Sequence, residues 1–406
     1  MPKPSLSHLG VRLSAASSPT ATEPPGTRTV ARGNGVAARP RTRRMPRYPK
    51  GAPAPVLVEV RRAGIVESRH RGHVVQVDAK GQVQRAAGDP ETPVTLRSAI
   101  KPFALVALIE SGAADEFRLS PPELAIMAAS HSGEDVHVRT LQAVFRRAGV
   151  SQSLLGCGTE GAPLDRQTAN RLARDGEDPG AIRHMCSGFH AASLLLSRHA
   201  GWSLADYYRP EHASQAAIRA AVSQVFGTSP QELQVGGDDC GVQTFVFPLV
   251  DVARAFRLLA DPASDTDTRR ATILPALIRI RDAMIAAPEM VGGTREMLDT
   301  VLMRRRSGRL VVKAGAESLR GVGLLPGARS KEAGVAGMAV KVEDGDGFSR
   351  ANGAVTVEAL SQLGALEEAD LRALAHHHRP VTRDPHRRVV AETVVGFELA
   401  PISELL

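Results

Sequence analysis

Ser98 and Lys101 stand three residues apart at the head of RSAIKPFALVALIESG (97 to 112), a stretch that turns almost wholly apolar after the lysine. Of the 51 Lys and Arg residues only 7 are lysine, so a lysine kept in an apolar setting is informative. Arginine stays protonated in any protein environment, whereas a lysine that is desolvated or set beside another cation gives up its proton and can act as a general base. At helical i, i+3 spacing Ser98 and Lys101 share a face, which makes the pair a candidate nucleophile and base. The competing structural reading is that Ser98 caps the helix and Lys101 snorkels from its first turn.

The order of other motifs favours chemistry. Penicillin-recognising enzymes carry S-x-x-K, then a serine-containing triplet, then K-T-G on a strand. Here Ser98-x-x-Lys101 is followed by Ser130-His131-Ser132 after a helical pattern and by Lys313-Ala314-Gly315 in the strand-like RLVVKAGAES. A second constellation mixes soft and hard donors. HMCSGFH (184 to 190) sets Cys186 and His190 four residues apart, and GGDDCG (236 to 241) adds Asp238, Asp239 and Cys240 in a Gly-rich loop. Two thiolates, an imidazole and a carboxylate are an acceptable tetrahedral zinc set, although the spacing is not that of a zinc finger and buried structural cysteines are the alternative. Cys157 has no partner in sequence and reads as packing. MVGGTRE (290 to 296) offers Arg295 after a glycine pair as a clamp for a substrate carboxylate, against the simpler reading of an exposed helix arginine. HHH (376 to 378) reads as a solvated loop.

The elements that must position these residues follow from periodicity. Strand patterns occupy 55 to 60, 72 to 78 and 81 to 86, then return at 308 to 315, 334 to 344 and 387 to 399. Helical patterns fill the middle. The first covers 98 to 111, and the second, 120 to 130, opens with a Ser120 to Glu123 capping box and Pro121. Others follow at 136 to 148, 165 to 174, 187 to 199, 213 to 225, 250 to 260, 267 to 287 and 295 to 304, with more helix over 351 to 374. Strands at both ends with helices between predict an α+β design, one antiparallel sheet assembled from the two chain ends with a helical domain at about 98 to 304.

The chain has 406 residues and a formal charge of +8. Residues 1 to 50 hold ten Lys/Arg and one Asp/Glu, a net of +9, so the rest is close to neutral. This basic segment lacks apolar periodicity and reads as a disordered tail, with Met45 as an alternative start, and 51 to 406 reads as one catalytic domain. The localised charge argues against nucleic-acid binding by the body, the lack of a long apolar run argues against a membrane span, and three cysteines are too few for a disulfide framework, which fits the cytoplasm.

Taken together, VLVEVRRAGIVESRHRGH, RSAIKPF, ASHSGE, CSG-x-H, D-x-CG and VKAGAE resemble the rhizobial-type L-asparaginases over about residues 55 to 400. The resemblance implies a serine β-lactamase-like fold, a homodimer, and hydrolysis of L-asparagine to L-aspartate and ammonia. It implies two Ser-Lys tandems, Ser98 with Lys101 and Ser130 with Lys313, with Ser98 the nucleophile. Arg97, His131, Glu134 and Arg295 are then expected at the substrate. Zinc in that family is held by two cysteines, an aspartate and a lysine; Cys186, Asp238 and Cys240 match, but Phe189 stands where the lysine should, Met185 replaces an asparagine and Asp239 a glycine. Either His190 or Asp239 substitutes, or the metal is lost. The other readings are a β-lactamase or penicillin-binding serine hydrolase sharing only the fold, which nitrocefin turnover without asparagine turnover would favour, and a non-catalytic amino-acid-binding relative, against which the four intact Ser and Lys residues argue.

Overall fold

The computed structural model describes residues 53 to 404 apart from 296 and 347 to 349. The expected basic tail at 1 to 50 and Met45 lie outside the described residues. Among the described residues, nine strands form one antiparallel sheet whose main path runs β10 (Val381–Arg383), β11 (Val389–Val395), β1 (Val56–Arg62), β2 (Ile65–Val77), β9 (Ala336–Val342), β8 (Leu319–Leu324) and β7 (Leu310–Gly315). Strand β3 (Val83–Ala87) pairs with the second half of β2 and with β12 (Ala400–Pro401). Both chain ends therefore build the sheet: β1 is joined to β2 on one side and β11 on the other. Strand β2 is longer than its pattern suggested, because its first half, IVESRHR, alternates exposed positions with part-buried ones and the buried His70 where it pairs only with β1, and its apolar second half lies in the sheet interior.

Between the strands run the helices. A 3-10 turn, Arg97–Ile100, leads into α1 (Lys101–Ala104) and α2 (Val106–Glu110), so the helix expected at 98 to 111 is one winding path divided at Leu105. Then follow α3 (Ala113–Glu116), α4 (Pro121–Met127), α5 (Asp135–Ala148), α6 (Arg166–Asp175), α7 (Ser187–His199) and α8 (Ala213–Phe226). After two strands come α9 (Leu249–Ala260), α10 (Leu274–Ala286), α11 (Pro288–Val291) and α12 (Leu298–Arg305). The capping box at α4 is present, with the Glu123 carboxylate accepting from Ser120 N–H at 2.8 Å. Expected as one helix, 267 to 287 splits into a 3-10 turn and α10, whose first turn holds Pro275. The C-terminal helices are α13 (Asn352–Gln362), α14 (Glu368–Ala373) and α15 (Ala375–His378). The triple histidine is thus not a solvated loop: it lies in α15, and His378 is buried with Nε2 2.7 Å from Glu358.

A second sheet, missing from the sequence reading, orders β4 (Pro93–Thr95), β6 (Gln243–Pro248) and β5 (Gln234–Gly237). It holds the turn that carries Ser98: Leu96 N–H donates to the Phe245 carbonyl at 2.9 Å and Arg97 N–H to Thr244 Oγ1 at 2.8 Å.

Helices α9 and α13 cover opposite faces of the large sheet. A Cβ on Gly321 of β8 would meet the Phe256 ring of α9 at 2.0 Å, and one on Gly337 of β9 the Ala253 carbonyl at 1.9 Å, so α9 lies directly on the strand backbones. The neighbouring residue Arg320 points the other way and reaches Asn352 on α13. Among the described residues, no helix is long and apolar enough to cross a membrane.

Candidate active site

Three separate segments bring Ser98, Lys101, Ser130 and Lys313 together. Lys101, at the start of α1, is 2% exposed, so it does not snorkel. Its Nζ donates to the Ala129 carbonyl at 2.8 Å and to Ser130 Oγ at 3.3 Å. Lys313 enters from β7, 1% exposed, and donates to the same Ser130 Oγ at 3.0 Å and to its neighbour's carbonyl, Ala314, at 2.5 Å. Ser130, half-buried in the loop after α4, therefore has a lysine on each side. The i, i+3 argument placed Lys101 with Ser98. Instead, a buried amine needs acceptors, and the loop at 129 and 130 supplies them; among the described residues the Lys101 backbone N–H donates to the Ser98 carbonyl, but no hydrogen bond joins the two side chains.

Ser98 is 8% exposed in the 3-10 turn. The preceding residue, Arg97, has φ of 46°, a left-handed conformation that costs a non-glycine residue energy and persists only where its surroundings impose it. Gly315 at the end of β7 lets the strand close on this turn, since a Cβ there would lie 2.3 Å from the Leu96 carbonyl oxygen and 3.0 Å from Ala99 N. The glycine of the Lys-Ala-Gly triplet thus has a steric reason: it sets the distance between the Lys313 strand and the Ser98 turn.

Burial, above all, pushes the Lys313 amine down to about 7, with Asp299 opposing the change and the Lys101 charge adding to it.

The expected substrate contacts divide. Arg97 directs its guanidinium to Asp238 Oδ1 at 3.0 Å and Asp239 Oδ2 at 2.5 Å, and these two carboxylates hold it cationic. His131 is fully buried: its Nδ1 accepts from Gly133 N–H at 3.1 Å and its Nε2 lies 2.9 Å from Ser187 Oγ, so both ring nitrogens are spent within the protein. Burial holds the ring neutral, well below the usual histidine range. Glu134 accepts from Ser132 Oγ at 2.6 Å and from Thr294 N at 2.8 Å and Oγ1 at 2.5 Å. Arg295 pairs with Asp165 at 2.5 Å and with Glu134 at 3.4 Å. Glu134 and Arg295 thus tie the 130s loop to the segment before α12, and they line a cavity of about 420 Å³ with Asp135, Arg139 and Arg171.

The expected zinc donors do not converge. Cys186, just before α7, and Cys240, in the turn between β5 and β6, are buried free thiols; the Cys240 thiol and the Lys101 charge favour the thiolate at Cys186, whereas the Cys186 thiol and burial hold the proton on Cys240 against the Lys101 charge. Asp238, however, is engaged by Arg97, and His190 Nδ1 is 2.6 Å from Tyr207 Oη, with burial pushing the ring down to about 3. Among the described residues no three His, Cys, Asp or Glu side chains are grouped to hold a metal ion. Cys157 is buried, its thiol pushed up to about 12, in agreement with a packing role.

Three contributors were not visible in the sequence. The Ala129 carbonyl is a backbone group, and Asp299 and Arg320 lie in unremarkable patterns, yet they flank the Lys313 strand. The glycine of Cys-Ser-Gly has a structural cause, because a Cβ on Gly188 would be 2.0 Å from the Ile126 carbonyl oxygen, so α7 seats on α4 and brings Cys186 to the centre.

A family model described as L-asparaginase II matches residues 58–395. No curated protein gives a match. Among solved structures, the probable glutaminase of Bacillus subtilis is 12% identical over 72% of this chain and 88% of its own, with a TM-score of 0.32. Its complex with 6-diazo-5-oxo-L-norleucine gives 11%, 74%, 86% and 0.36. Mglu in its native form is 14% identical over 74% of this chain and 63% of its own, at a TM-score of 0.32. The L-asparaginase II match spans the turn, loop and strand that carry the two serines and two lysines, and on it the chain belongs to that family, a family of amidohydrolases.

Proposed function

We propose that this protein is an L-asparaginase that hydrolyses the side-chain amide of L-asparagine through an acyl-enzyme on Ser98. The observation that carries the reading is the Ser130 hydroxyl between two buried amines, 3.3 Å from Lys101 and 3.0 Å from Lys313, beside the strained turn of Ser98. An unprotonated Lys101 that keeps its two donor bonds has its lone pair left for the Ser98 proton. Ser98 Oγ then attacks the amide carbon. Ser130 accepts from both lysines, which uses its two lone pairs and leaves its one O–H to donate to the departing nitrogen. Ammonia leaves, the proton that Lys101 took from Ser98 passes to Ser130 across their hydrogen bond, and water cleaves the ester with the freed Lys101 again as base, releasing aspartate and restoring Ser98.

No step runs through a metal. The homodimer implied by the family resemblance belongs to this reading and is checked by sedimentation, and the three unpaired cysteines fit the expected cytoplasmic setting.

Ammonia release from asparagine, glutamine and β-aspartyl amides tests the assignment. Wild type is expected to prefer asparagine and Ser98→Ala to lose turnover. Equal rates for the two proteins would remove Ser98 from the mechanism, and glutamine preference would overturn the substrate.

A further inference from the structure

The Asp299 carboxylate of α12 is 6% exposed and bridges two strands. Its Oδ2 accepts from the Ala314 N–H at 2.7 Å, and its Oδ1 accepts from Arg320 Nε–H on β8 at 2.9 Å. Arg320, 4% exposed, continues to Asn352 Oδ1 at 2.6 Å on α13, and Asn352 Nδ2 donates to the Ser318 carbonyl at 2.8 Å. Ala314 is the residue whose own carbonyl receives the Lys313 amine. One residue, Ala314, therefore carries both bonds: its N–H, in the Lys313–Ala314 peptide, is held by Asp299, and its carbonyl, in the next peptide, receives Lys313.

A buried ion pair adds little net stability over well-packed apolar residues, so folding alone does not account for this one. Its location does. The charged or titratable groups facing Lys313 are Asp299 from α12, Arg320 from β8, Lys101 from α1 and Cys186 from the start of α7.

We propose that the Asp299 and Arg320 pair is the positioning device of this centre: it locks the Lys313–Ala314 peptide in place and balances one negative against one positive charge beside the Lys313 amine. The proposal rests on the reading of Lys313 as part of an amide-hydrolysing site. Neither residue bonds to Ser98 or Ser130, so both act through Lys313. The two charges have opposite effects: Asp299 favours the ammonium, and Arg320 opposes it.

The test is a pair of variants read two ways, by the pH profile of kcat/KM for ammonia release from asparagine and by NMR titration of the full chain labelled at lysine Cε. With 7 lysines the spectrum is sparse, and Lys313→Arg identifies the resonance by its loss. Asp299→Asn is expected to lower the Lys313 midpoint by roughly one pH unit and Arg320→Gln to raise it by a similar amount. A purely structural role would move both variants in the same direction or neither, and either result overturns the proposal. Should these variants fail to fold, Asp299→Glu retains the charge with altered reach: a midpoint within a few tenths of wild type, with reduced kcat, supports the proposal, and a midpoint displaced by roughly one unit overturns it. The two readings fail separately. Opposite NMR shifts in a protein that releases no ammonia would sink the proposed function and keep the charge balance; full activity without those shifts would do the reverse.

Discussion

At the scale of single residues, the site turns on how a buried amine satisfies its hydrogens. Burial brings the Lys313 amine down to about 7, so the ammonium charge it sets beside Lys101, the proposed base, is lost as pH rises through that value. The acid limb of kcat/KM for asparagine is expected to rise with a midpoint near 7, and Lys313→Arg, which cannot shed its proton, should lower kcat by roughly 10²- to 10⁴-fold while Lys341→Arg changes little. A profile flat from pH 5 to 9 would separate Lys313 from catalysis. Ser130→Ala should cost a comparable factor in kcat with a smaller change in KM, measured by steady-state kinetics, because it removes the hydroxyl shared by both amines. The four Ser and Lys residues were legible because their types and order are rare together. The partner of Lys101 was not: sequence spacing knows only neighbours on one helix, and the carbonyl of Ala129 is 28 residues away.

At the scale of elements, glycine explains both what was read and what was missed. The pattern LRGVGL of β8 lacks the continuous apolar side chains of a buried strand, yet all six residues are buried, because its two glycines make room for α9. The small sheet of β4, β6 and β5 was invisible for a related reason: β4 has three residues, and β5 is exposed throughout and half glycine. The amphipathic α5 and the strand β7 carried clear periods and were placed to within two residues. Gly315→Ala is the sharpest test at this scale. A methyl 2.3 Å from the Leu96 oxygen must push β7 away from the Ser98 turn, at a cost of about 1–3 kcal/mol in stability, and should lower kcat far more than the melting shift alone would suggest. Calorimetry and kinetics on the same preparation decide it; an unchanged kcat would show that the strand-to-turn distance is not critical.

At the scale of the whole molecule, the sheet that supports the site is closed by the last strands. Strand β11 covers one edge of β1, and β12 adds to β3. Removal of residues 388 to 406 takes away no member of the proposed centre but uncovers both edges. The truncated protein is expected to lose its cooperative thermal transition together with activity, observed by circular dichroism and ammonia release. Retention of both would show that the terminal strands are dispensable.

The sheet joined from the two chain ends also orders events in time. Ser98 and Lys101 leave the ribosome some two hundred residues before their partner strand β7, and β1 waits more than three hundred residues for β11. Such distant pairings make closure slow compared with the local winding of the helices. A growing chain of this protein would therefore hold helical structure well before it could turn over any amide, and the activity would switch on only once β11 is free to pair with β1.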